Sequence, residues 1–290
     1  MQTFSYRRPA SLQEAVSLLA AQGEQARVLA GGTDLVIRLR SGDERPAFVV
    51  DIKRIADLPA GIREEAGRVT IGATTTMTEL AASPVLRRHF RALAEAAAVV
   101  GSVQVRNRAT LAGNVCNASP AADTAPSLLV YDATVVALGP GGVRRIPIDD
   151  FFVQSGVTTL ASGELVTSIE LPIPGHRTGA AHVRRTRRRG HDLASVTLCC
   201  SVDEAGVTRL AYGSVGPRPV VFTDRTGTLA DPARSDEAGT AILEEMFAGA
   251  SPSKRSMRAG PEYRLAMLRV LGRRALASAI ERLAEARANG

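Results

Sequence analysis

The chain contains no tryptophan, and aromatic residues make up only 4% of its 290 positions. Its core must therefore be built mainly from alanine, valine, leucine and isoleucine. Cysteine is also scarce, since it occurs only at Cys116, Cys199 and Cys200 and never with Cys-x-x-Cys spacing. This usage is typical of a reducing compartment, and it argues against a disulfide framework, an iron–sulfur site or a zinc site in this chain.

Long apolar runs are missing as well, so the sequence predicts no membrane span. Residues 1–9 are polar and lack the apolar segment of a secretory signal, so we expect a cytoplasmic protein. Lysine occurs only at Lys53 and Lys254, and arginine therefore carries almost all of the positive charge behind the net charge of +7. The densest basic cluster lies within residues 184–189, and it lacks the interleaved aromatic side chains that would favour a nucleic-acid partner.

Familiar catalytic motifs are also absent. The chain has neither a Gly-x-Gly-x-x-Gly turn nor a Gly-x-x-x-x-Gly-Lys loop, so a Rossmann site and a P-loop are not expected. No serine lies in a nucleophile elbow. The histidines are scattered without metal-ligand spacing, at His89, His176, His182 and His191. We therefore predict no catalytic residue and no metal site, and we infer that a bound cofactor carries the chemistry.

Two stretches rich in small, hydroxyl and amide side chains are the candidate binding segments. The first covers residues 28–35, and the second covers residues 106–123. Small side chains let a ligand approach the backbone, and Gly113 permits a positive φ. Exposed N–H groups in such loops can bind an anion, so one interpretation is an anion-binding site. The other interpretation is that both stretches are ordinary surface loops.

Hydrophobic periodicity and capping residues predict the elements around these stretches. Up to residue 60, we expect helices over 11–22 and 34–40 and strands over 27–30 and 47–52. In the middle of the chain, we expect strands over 68–73, 134–138, 143–147 and 163–171 and helices over 76–82, 87–100 and 126–131. After a boundary near residues 172–176, we expect strands over 180–185, 194–202 and 207–215 and helices over 235–247 and 261–288.

A series of motifs then points to a family. The motifs are Ala-Gly-Gly-Thr-Asp-Leu (30–35), Thr-Ile-Gly-Ala-Thr-Thr (70–75), Arg-Asn (106–107), Thr-Leu-Ala-Gly-Asn (110–114), Ser-Pro-Ala-Ala-Asp (119–123), Glu-Leu-Val (164–166), Ile-Glu-Leu-Pro (169–172), Asp-Leu-Ala (192–194) and Glu-Tyr-Arg (262–264). In this order they resemble the FAD-binding medium subunit of the xanthine dehydrogenase and aerobic carbon monoxide dehydrogenase family of molybdenum hydroxylases. The resemblance covers almost the whole chain.

The resemblance implies an α+β fold with two domains. Residues 1–175 would form an FAD-binding domain of the vanillyl-alcohol-oxidase (PCMH) type, with subdomains of about 1–57 and 58–175. Residues 176–290 would form the C-terminal domain of the carbon monoxide dehydrogenase flavoprotein, built from a sheet plus helices.

The resemblance also implies a heterotrimer, arranged as a dimer of heterotrimers. A small subunit would carry two [2Fe–2S] clusters, and a large subunit would carry the molybdopterin site that hydroxylates the substrate. Electrons would pass through the clusters to FAD and then to an external acceptor. Two alternatives stay open at this point, namely a free-standing FAD-dependent oxidoreductase of the same fold and a basic binding module without a cofactor.

Matched position by position, the motifs assign FAD contacts to this chain. The resemblance implies that the FAD pyrophosphate is wrapped by Val28, Leu29, Ala30, Gly31, Gly32, Thr33, Asp34 and Leu35 and by Thr110, Leu111, Ala112, Gly113 and Asn114. It also implies single contacts: Asp123 with a ribose or ribityl hydroxyl, Val100 and Val166 with the adenine or the ring system, Arg184 as a cation near the flavin, and Leu193 over the isoalloxazine.

Two positions depart from the family pattern. Ala112 stands where glycine is usual, and it would cost about 1 kcal/mol if the backbone there needs a positive φ. Asp34 stands where serine is common, so we expect its carboxylate to point away from the diphosphate or to cap the next helix. Residues 30–35 contain no histidine, and the FAD is therefore expected to be bound non-covalently.

Overall fold

The computed structural model describes residues 3–188, 190–231 and 233–288. Up to Asp51 the chain forms a three-stranded parallel sheet in the order β1–β3–β2. The elements of this part are β1 (Ser5–Arg7), α1 (Leu12–Gln22), β2 (Ala26–Leu29), α2 (Leu35–Ser41) and β3 (Phe48–Asp51). The helices and strands predicted for this part are confirmed to within one residue at each end.

Local capping explains where α1 begins and ends. The Ser11 hydroxyl accepts a hydrogen bond from the Glu14 N–H at 3.2 Å, and the Glu14 carboxylate accepts one from the Ala10 N–H at 2.7 Å. Gly23 ends the helix with a φ of 49°, a value that favours glycine. The pattern Ser-x-x-Glu followed by glycine is therefore a reliable helix signal here.

Residues 62–172 contribute a second sheet, which is antiparallel and has the strand order β4–β5–β10–β6–β7. The elements of this part are β4 (Ile62–Glu65), β5 (Arg68–Gly72), α3 (Met77–Ala82), α4 (Pro84–His89), α5 (Arg91–Ala98), α6 (Val103–Arg106), α7 (Leu111–Cys116), α8 (Thr124–Val130), β6 (Thr134–Gly139), β7 (Gly142–Pro147), α9 (Ile148–Phe151), β8 (Phe152–Gln154), β9 (Val157–Thr158) and β10 (Leu165–Pro172). Strand β10 lies at the centre, paired with β5 on one side and β6 on the other. The predicted hairpin is confirmed as β6 and β7.

The single helix predicted over residues 87–100 is wrong. Helix α4 ends at His89 and α5 begins at Arg91, because the chain turns at Phe90 with φ −139° and ψ 48°. The Phe90 side chain is fully buried, and its ring packs edge-on against Tyr131 with 5.0 Å between the centroids. Burial of this large aromatic side chain fixes the turn, and alanine-rich periodicity alone does not reveal it.

From Thr178 to Asp224 the chain forms an antiparallel sheet in the order β11–β12–β13–β14, and the long helix α11 packs on it. The elements are β11 (Thr178–Arg185), β12 (Val196–Asp203), β13 (Thr208–Gly213), β14 (Val220–Asp224), α10 (Asp236–Phe247) and α11 (Pro261–Ala288). Helix α11 has the predicted bounds. The sequence pattern misses β14, because Pro217 and Pro219 stand directly before it, and prolines are tolerated there since β14 is an edge strand.

Side chains of β12 alternate between two cores. Leu198 and Cys200 pack with the residues of α11, whereas Cys199 packs with the core of the first 172 residues. Helix α8 lies against β12 and β13 on that second face. Because alternate side chains point to opposite faces of a strand, the C-terminal sheet is buried on both sides and rests directly on the preceding part of the chain. Within the described residues, none of the helices has both the length and the hydropathy that crossing a bilayer requires.

Candidate functional site

Several parts of the chain line a cleft with a volume of about 630 Å³, which is in the range of small-molecule sites. They include the turn between β2 and α2, the start of α7 with the segment before α8, the start of strand β10, the segment after α5 that carries Val100, and the loop between β11 and β12. Most residues predicted to contact FAD line the cleft, namely Val28, Ala30, Gly31, Gly32, Thr33, Asp34, Leu35, Val100, Thr110, Ala112, Gly113, Asn114, Asp123, Val166 and Leu193. Leu29, Leu111 and Arg184 do not line it.

The turn between β2 and α2 brings the backbone to the cleft. Gly32 has a φ of 77°, which favours glycine. Gly31 lies so close to the segment before α7 that a Cβ atom on it would be 2.1 Å from the Arg108 carbonyl oxygen. The N–H groups of residues 31–35 donate to no backbone carbonyl within the described parts of the chain. Free N–H donors in a turn of this kind suit an anionic ligand.

The middle of the second small-residue stretch is helical over Leu111–Cys116, so the expectation of a loop is wrong for that segment. Helix α7 begins after Thr110, whose hydroxyl accepts the Gly113 N–H at 3.1 Å. Neither Ala112 nor Gly113 has a positive φ. The cost expected for Ala112 therefore does not arise, because alanine is the most favourable residue inside a helix. The small side chains instead allow α7 to pack closely on β10.

Asp34 does not cap α2, so the second of the two expectations for this residue is wrong. It directly precedes the helix, but its carboxylate makes no capping hydrogen bond. Its backbone has φ −99° and ψ −48°, whereas a capping side chain needs an extended backbone to reach the free N–H groups. Asp34 is exposed and lines the cleft, so its charge stays in contact with solvent.

A hydrogen bond that the sequence does not reveal joins α2, which follows the first stretch, to the second stretch. Arg38 Nη2 donates to Asn117 Oδ1 at 2.5 Å, and both residues line the cleft. The bond connects α2 to the residue that follows α7. The two positions are 79 residues apart, and neither belongs to a motif, so only the folded structure could bring them together.

Asp123 lines the cleft although its side chain is almost fully buried. Its Oδ2 accepts a hydrogen bond from Arg184 Nη1 at 2.6 Å, whereas its Oδ1 has no partner in the described structure. Burial raises the pKa of Asp123 to about 6, and Arg184 and Thr197 oppose that effect by favouring the charged form. A buried oxygen without a partner is uncommon, so Oδ1 is suited to accept a hydrogen bond from a ligand.

Arg184, which the resemblance assigns to a position near the flavin, contacts the cleft through Asp123. It extends from β11 and stays outside the lining of the cleft, because its guanidinium group is paired with Asp123. A cation used in this way neutralises the carboxylate and fixes its orientation. Behind this pair, Thr197 Oγ1 and His182 Nε2 lie 3.2 Å apart. The C-terminal sheet thus supports a wall of the cleft that belongs to the first part of the chain.

Leu193 is 44% exposed and lines the cleft from the loop between β11 and β12. The Asp192 carboxylate closes this loop by accepting the N–H groups of Arg187 and Leu193, both at 3.0 Å. Burial would raise the pKa of Asp192, but the N–H groups of Arg188 and Arg187 hold it below its ordinary value. Part of the arginine-rich cluster therefore shapes the loop that carries Leu193.

The remaining wall of the cleft is apolar, with Val166 buried on β10 and Val100 partly buried. Among the described residues, no group of three or more His, Cys, Asp and Glu side chains is arranged to hold a metal ion. The cleft thus combines free backbone donors, one buried carboxylate with a free oxygen, and apolar walls. The fold and the site define a protein that holds a cofactor bearing both phosphate and an apolar ring.

Comparison with known families identifies this cofactor. Residues 2–174 match the family described as the FAD binding domain in molybdopterin dehydrogenase, and residues 181–279 match the CO dehydrogenase flavoprotein C-terminal domain. The chain therefore belongs to the family of FAD-binding subunits of molybdopterin dehydrogenases, and the resemblance found in the motifs is confirmed. Its first part is an FAD-binding domain.

Relatives match along almost the entire length. The putative xanthine dehydrogenase FAD-binding subunit of Escherichia coli K12 is 33% identical over 281 residues, which cover 95% of this chain and 96% of the relative. The carbon monoxide dehydrogenase medium chain of Hydrogenophaga pseudoflava is 33% identical over 285 residues, which cover 97% and 98%. These relatives place the chain among subunits of oxidoreductases.

Solved structures confirm the fold. A carbon monoxide dehydrogenase from Hydrogenophaga pseudoflava, in a form without the Mo-pyranopterin moiety of its molybdenum cofactor, matches with a TM-score of 0.87 and 31% identity, over 97% of this chain and 98% of that chain. Quinoline 2-oxidoreductase from Pseudomonas putida 86 matches with a TM-score of 0.84 and 28% identity, over 97% and 98%. The predicted α+β fold, with an FAD-binding domain followed by a sheet-plus-helices domain, is therefore correct.

Proposed function

We propose that this chain is the FAD-carrying electron-transfer subunit of a heterotrimeric molybdenum hydroxylase. The observation that carries the proposal is the presence, in one cleft, of the free N–H groups of residues 31–35 and the unpartnered Oδ1 of Asp123. When bound, FAD would supply the redox chemistry, receiving electrons from [2Fe–2S] clusters of a partner and passing them to an external acceptor.

The polar residues of the cleft would bind the FAD diphosphate and one sugar hydroxyl. Backbone N–H groups of residues 31–35, with the hydroxyls of Thr33 and Thr110, would surround the diphosphate, which needs several donors. Asp123 Oδ1 would accept a hydrogen bond from a ribose or ribityl hydroxyl. Arg184 would hold the Asp123 carboxylate in the orientation that this bond requires, at the 2.6 Å separation observed.

The apolar residues would position the rings. Val100 and Val166 would pack on the adenine or the ring system, and their burial would keep water away from that surface. Leu193 would lie over the isoalloxazine and, because it is 44% exposed, at the side from which an acceptor approaches. Residues 30–35 contain no histidine for a covalent link, so FAD would be bound non-covalently.

The proposed partners are a small subunit with two [2Fe–2S] clusters and a large subunit with molybdopterin, assembled as a dimer of heterotrimers in the cytoplasm. Two of the acidic groups that line the cleft are held by neighbouring residues. The Glu164 carboxylate is held by Arg144 at 2.8 Å and by the Ala161 N–H at 2.7 Å, and the Asp192 carboxylate is held by its own loop. These contacts leave neither of the two carboxylates free to act as a general acid or base on a substrate.

Asp123→Asn is expected to raise the Kd for FAD about tenfold. The variant keeps the size of the side chain but replaces a carboxylate acceptor by an amide, and hydrogen bonds to a charged acceptor are about twice as strong. The measurement is a titration of cofactor-free protein with FAD, followed by the flavin fluorescence. Asp149→Asn is the control, since Asp149 is a carboxylate outside the cleft that pairs with Arg218 at 3.2 Å.

An unchanged Kd in Asp123→Asn would remove Asp123 from the site. A wild-type chain that is colourless and takes up no added FAD would overturn the proposed function as a whole.

Co-expression with an iron–sulfur subunit and a molybdopterin subunit from the same source is expected to yield a stable complex. An exposed arginine-rich loop beside the cleft offers several donors for a partner surface. The measurement is affinity purification of this chain followed by size-exclusion chromatography and determination of iron, molybdenum and FAD. Recovery of this chain alone, with FAD but no iron, would contradict the heterotrimer and favour a free-standing flavoprotein.

A further inference from the structure

A buried residue with a strained backbone lies behind the cleft and outside its lining. Ser214 directly follows β13 and is 8% exposed. Its φ is 68°, a left-handed value that residues other than glycine, asparagine and aspartate rarely adopt. Such a conformation persists only where the surrounding contacts impose it, and it is frequently found near functional sites. The hydrogen bonds of Ser214 therefore show which segments hold it in this conformation.

Every polar group of Ser214 is used. Its N–H donates to the Pro120 carbonyl at 2.7 Å, and its hydroxyl donates to the Ala194 carbonyl at 2.9 Å. Its own carbonyl accepts a hydrogen bond from Arg264 Nη1 at 2.5 Å. The left-handed backbone is what allows one residue to direct its N–H and its side chain to these two separate segments.

The two carbonyls belong to different walls of the cleft. Pro120 lies three residues before Asp123, and the residues on either side of it line the cleft. Ala194 directly follows Leu193, which lines the cleft from the C-terminal part of the chain. Packing at this point is tight, because a Cβ atom on Gly213 would lie 2.5 Å from the Pro120 carbonyl oxygen. Ser214 thus connects the wall that carries Asp123 to the wall that carries Leu193.

Arg264 secures this connection from the start of α11. It is 6% exposed, and its guanidinium donates to the carbonyls of Ser195, Ser214 and Ala259 and to the Ser256 hydroxyl. A buried cation is costly unless its donors are satisfied, and here backbone carbonyls satisfy them in place of a carboxylate. The Ser214 hydroxyl bonds to Ala194, and Ser195 is the next residue after Ala194. By binding the carbonyls of Ser214 and Ser195, Arg264 therefore holds the backbone at both ends of this hydrogen bond.

We propose that Ser214, held by Arg264, is a positioning residue that sets the spacing between the two walls of the FAD cleft. Through that spacing it controls the affinity for FAD and the placement of the flavin ring relative to Leu193. The inference rests on the proposed function, because the spacing matters only if the cleft holds FAD.

Two variants separate the positioning role from stability. Ser214→Ala removes only the hydrogen bond to Ala194, and it is expected to raise the Kd for FAD about fivefold and to change the visible circular dichroism of the bound flavin. Ser214→Gly removes the same bond but also relieves the strain, because glycine adopts a positive φ freely. It is therefore expected to unfold at a higher temperature than Ser214→Ala while showing the same loss of FAD affinity.

Ser235→Ala is the matched control, since the Ser235 hydroxyl accepts the Ala238 N–H at the start of α10 and lines no part of the cleft. It is expected to lower the thermal midpoint while the Kd for FAD and the flavin spectrum stay as in the wild type. Unchanged Kd and spectrum in both Ser214 variants, or a Kd that follows the thermal midpoint across all three variants, would overturn the positioning role. A wild-type chain that binds no FAD would instead defeat the proposed function.

Discussion

Replacing Gly31 by alanine is expected to raise the Kd for FAD by about 100-fold. The added Cβ atom would lie 2.1 Å from the Arg108 carbonyl oxygen and 3.0 Å from the Ala109 Cα, so the two backbones must move apart. Overpacking of this kind costs about 1–3 kcal/mol, and each 1.4 kcal/mol corresponds to a tenfold change in affinity. The strain falls on the turn whose N–H groups are proposed to bind the diphosphate, so FAD binding is affected together with folding.

The measurement is the ratio of FAD to protein after purification, together with a titration of the cofactor-free variant. Gly141→Ala is the control, since Gly141 lies in the turn between β6 and β7 and a Cβ atom there would meet nothing within 4 Å. That variant is expected to bind FAD as the wild type does. A Gly31→Ala protein that retains a full complement of FAD would show that the contact with Arg108 is not part of the binding site.

Removing His182 is expected to change the acid stability of the protein more than any other single titratable group described above. Burial, together with the smaller effect of the neighbouring Arg184, lowers the pKa of His182 from 6.5 to about 3. In the folded protein this imidazole lies 3.2 Å from the Thr197 hydroxyl. It stays neutral there between about pH 3 and pH 6.5, where the imidazole of the unfolded chain binds a proton.

The direction of the pH dependence follows from this difference. Because the folded pKa lies below the unfolded value, the contribution of His182 is fully present above about pH 6.5 and is lost as the pH falls towards 3. At pH 5 the loss amounts to about 2 kcal/mol of the free energy of unfolding. Asp123 acts in the opposite sense, since its raised pKa lets the folded protein gain a proton as the pH falls through about 6. Comparing the free energy of unfolding of variants at two pH values is therefore more informative than the pH dependence of the wild type alone.

His182→Gln keeps a polar side chain near Thr197 but cannot be protonated. Denaturant unfolding of cofactor-free protein at pH 7 and pH 5 is expected to show a smaller loss of stability in this variant, by about 2 kcal/mol. His176→Gln removes an imidazole from an exposed position near Asp203 and serves as the control. Equal losses in the wild type and His182→Gln would mean that the buried imidazole becomes protonated without unfolding.

Elements that depend on local signals could be predicted from the sequence. Helix α1 has a serine cap and a glycine stop, the β6–β7 hairpin has a glycine-rich turn, and α11 has a long apolar face with a proline at its start. The secondary structure of the second small-residue stretch is harder to predict, because its composition is typical of loops. Its Thr110-Leu-Ala-Gly sequence nevertheless contains a capping threonine, and that signal would have revealed α7.

The site could be predicted as a set of motifs but not as a set of contacts. Gly31 and Asp123 stand out because their chemistry suits a dinucleotide, and the motif order locates them. The pairing of Asp123 with Arg184 and the bond between Arg38 and Asn117 depend on the packing of distant segments. The strain at Ser214 has no signature in the sequence, since a serine after a glycine is common in turns of every kind.

The central position of β10 has a consequence for biosynthesis. Strands β5 and β6 both pair with β10, but they leave the ribosome before it, and until residue 172 has emerged their inner edges lack a partner. The Asp123 carboxylate lacks its partner for longer still, because Arg184 is synthesised 61 residues later. Domains generally fold as units during synthesis, so a nascent chain cannot complete this cleft until the C-terminal sheet has been translated. We therefore expect FAD to bind only after this sheet has formed, and we expect a chain that stops before β10 to expose two unpaired strand edges that favour aggregation.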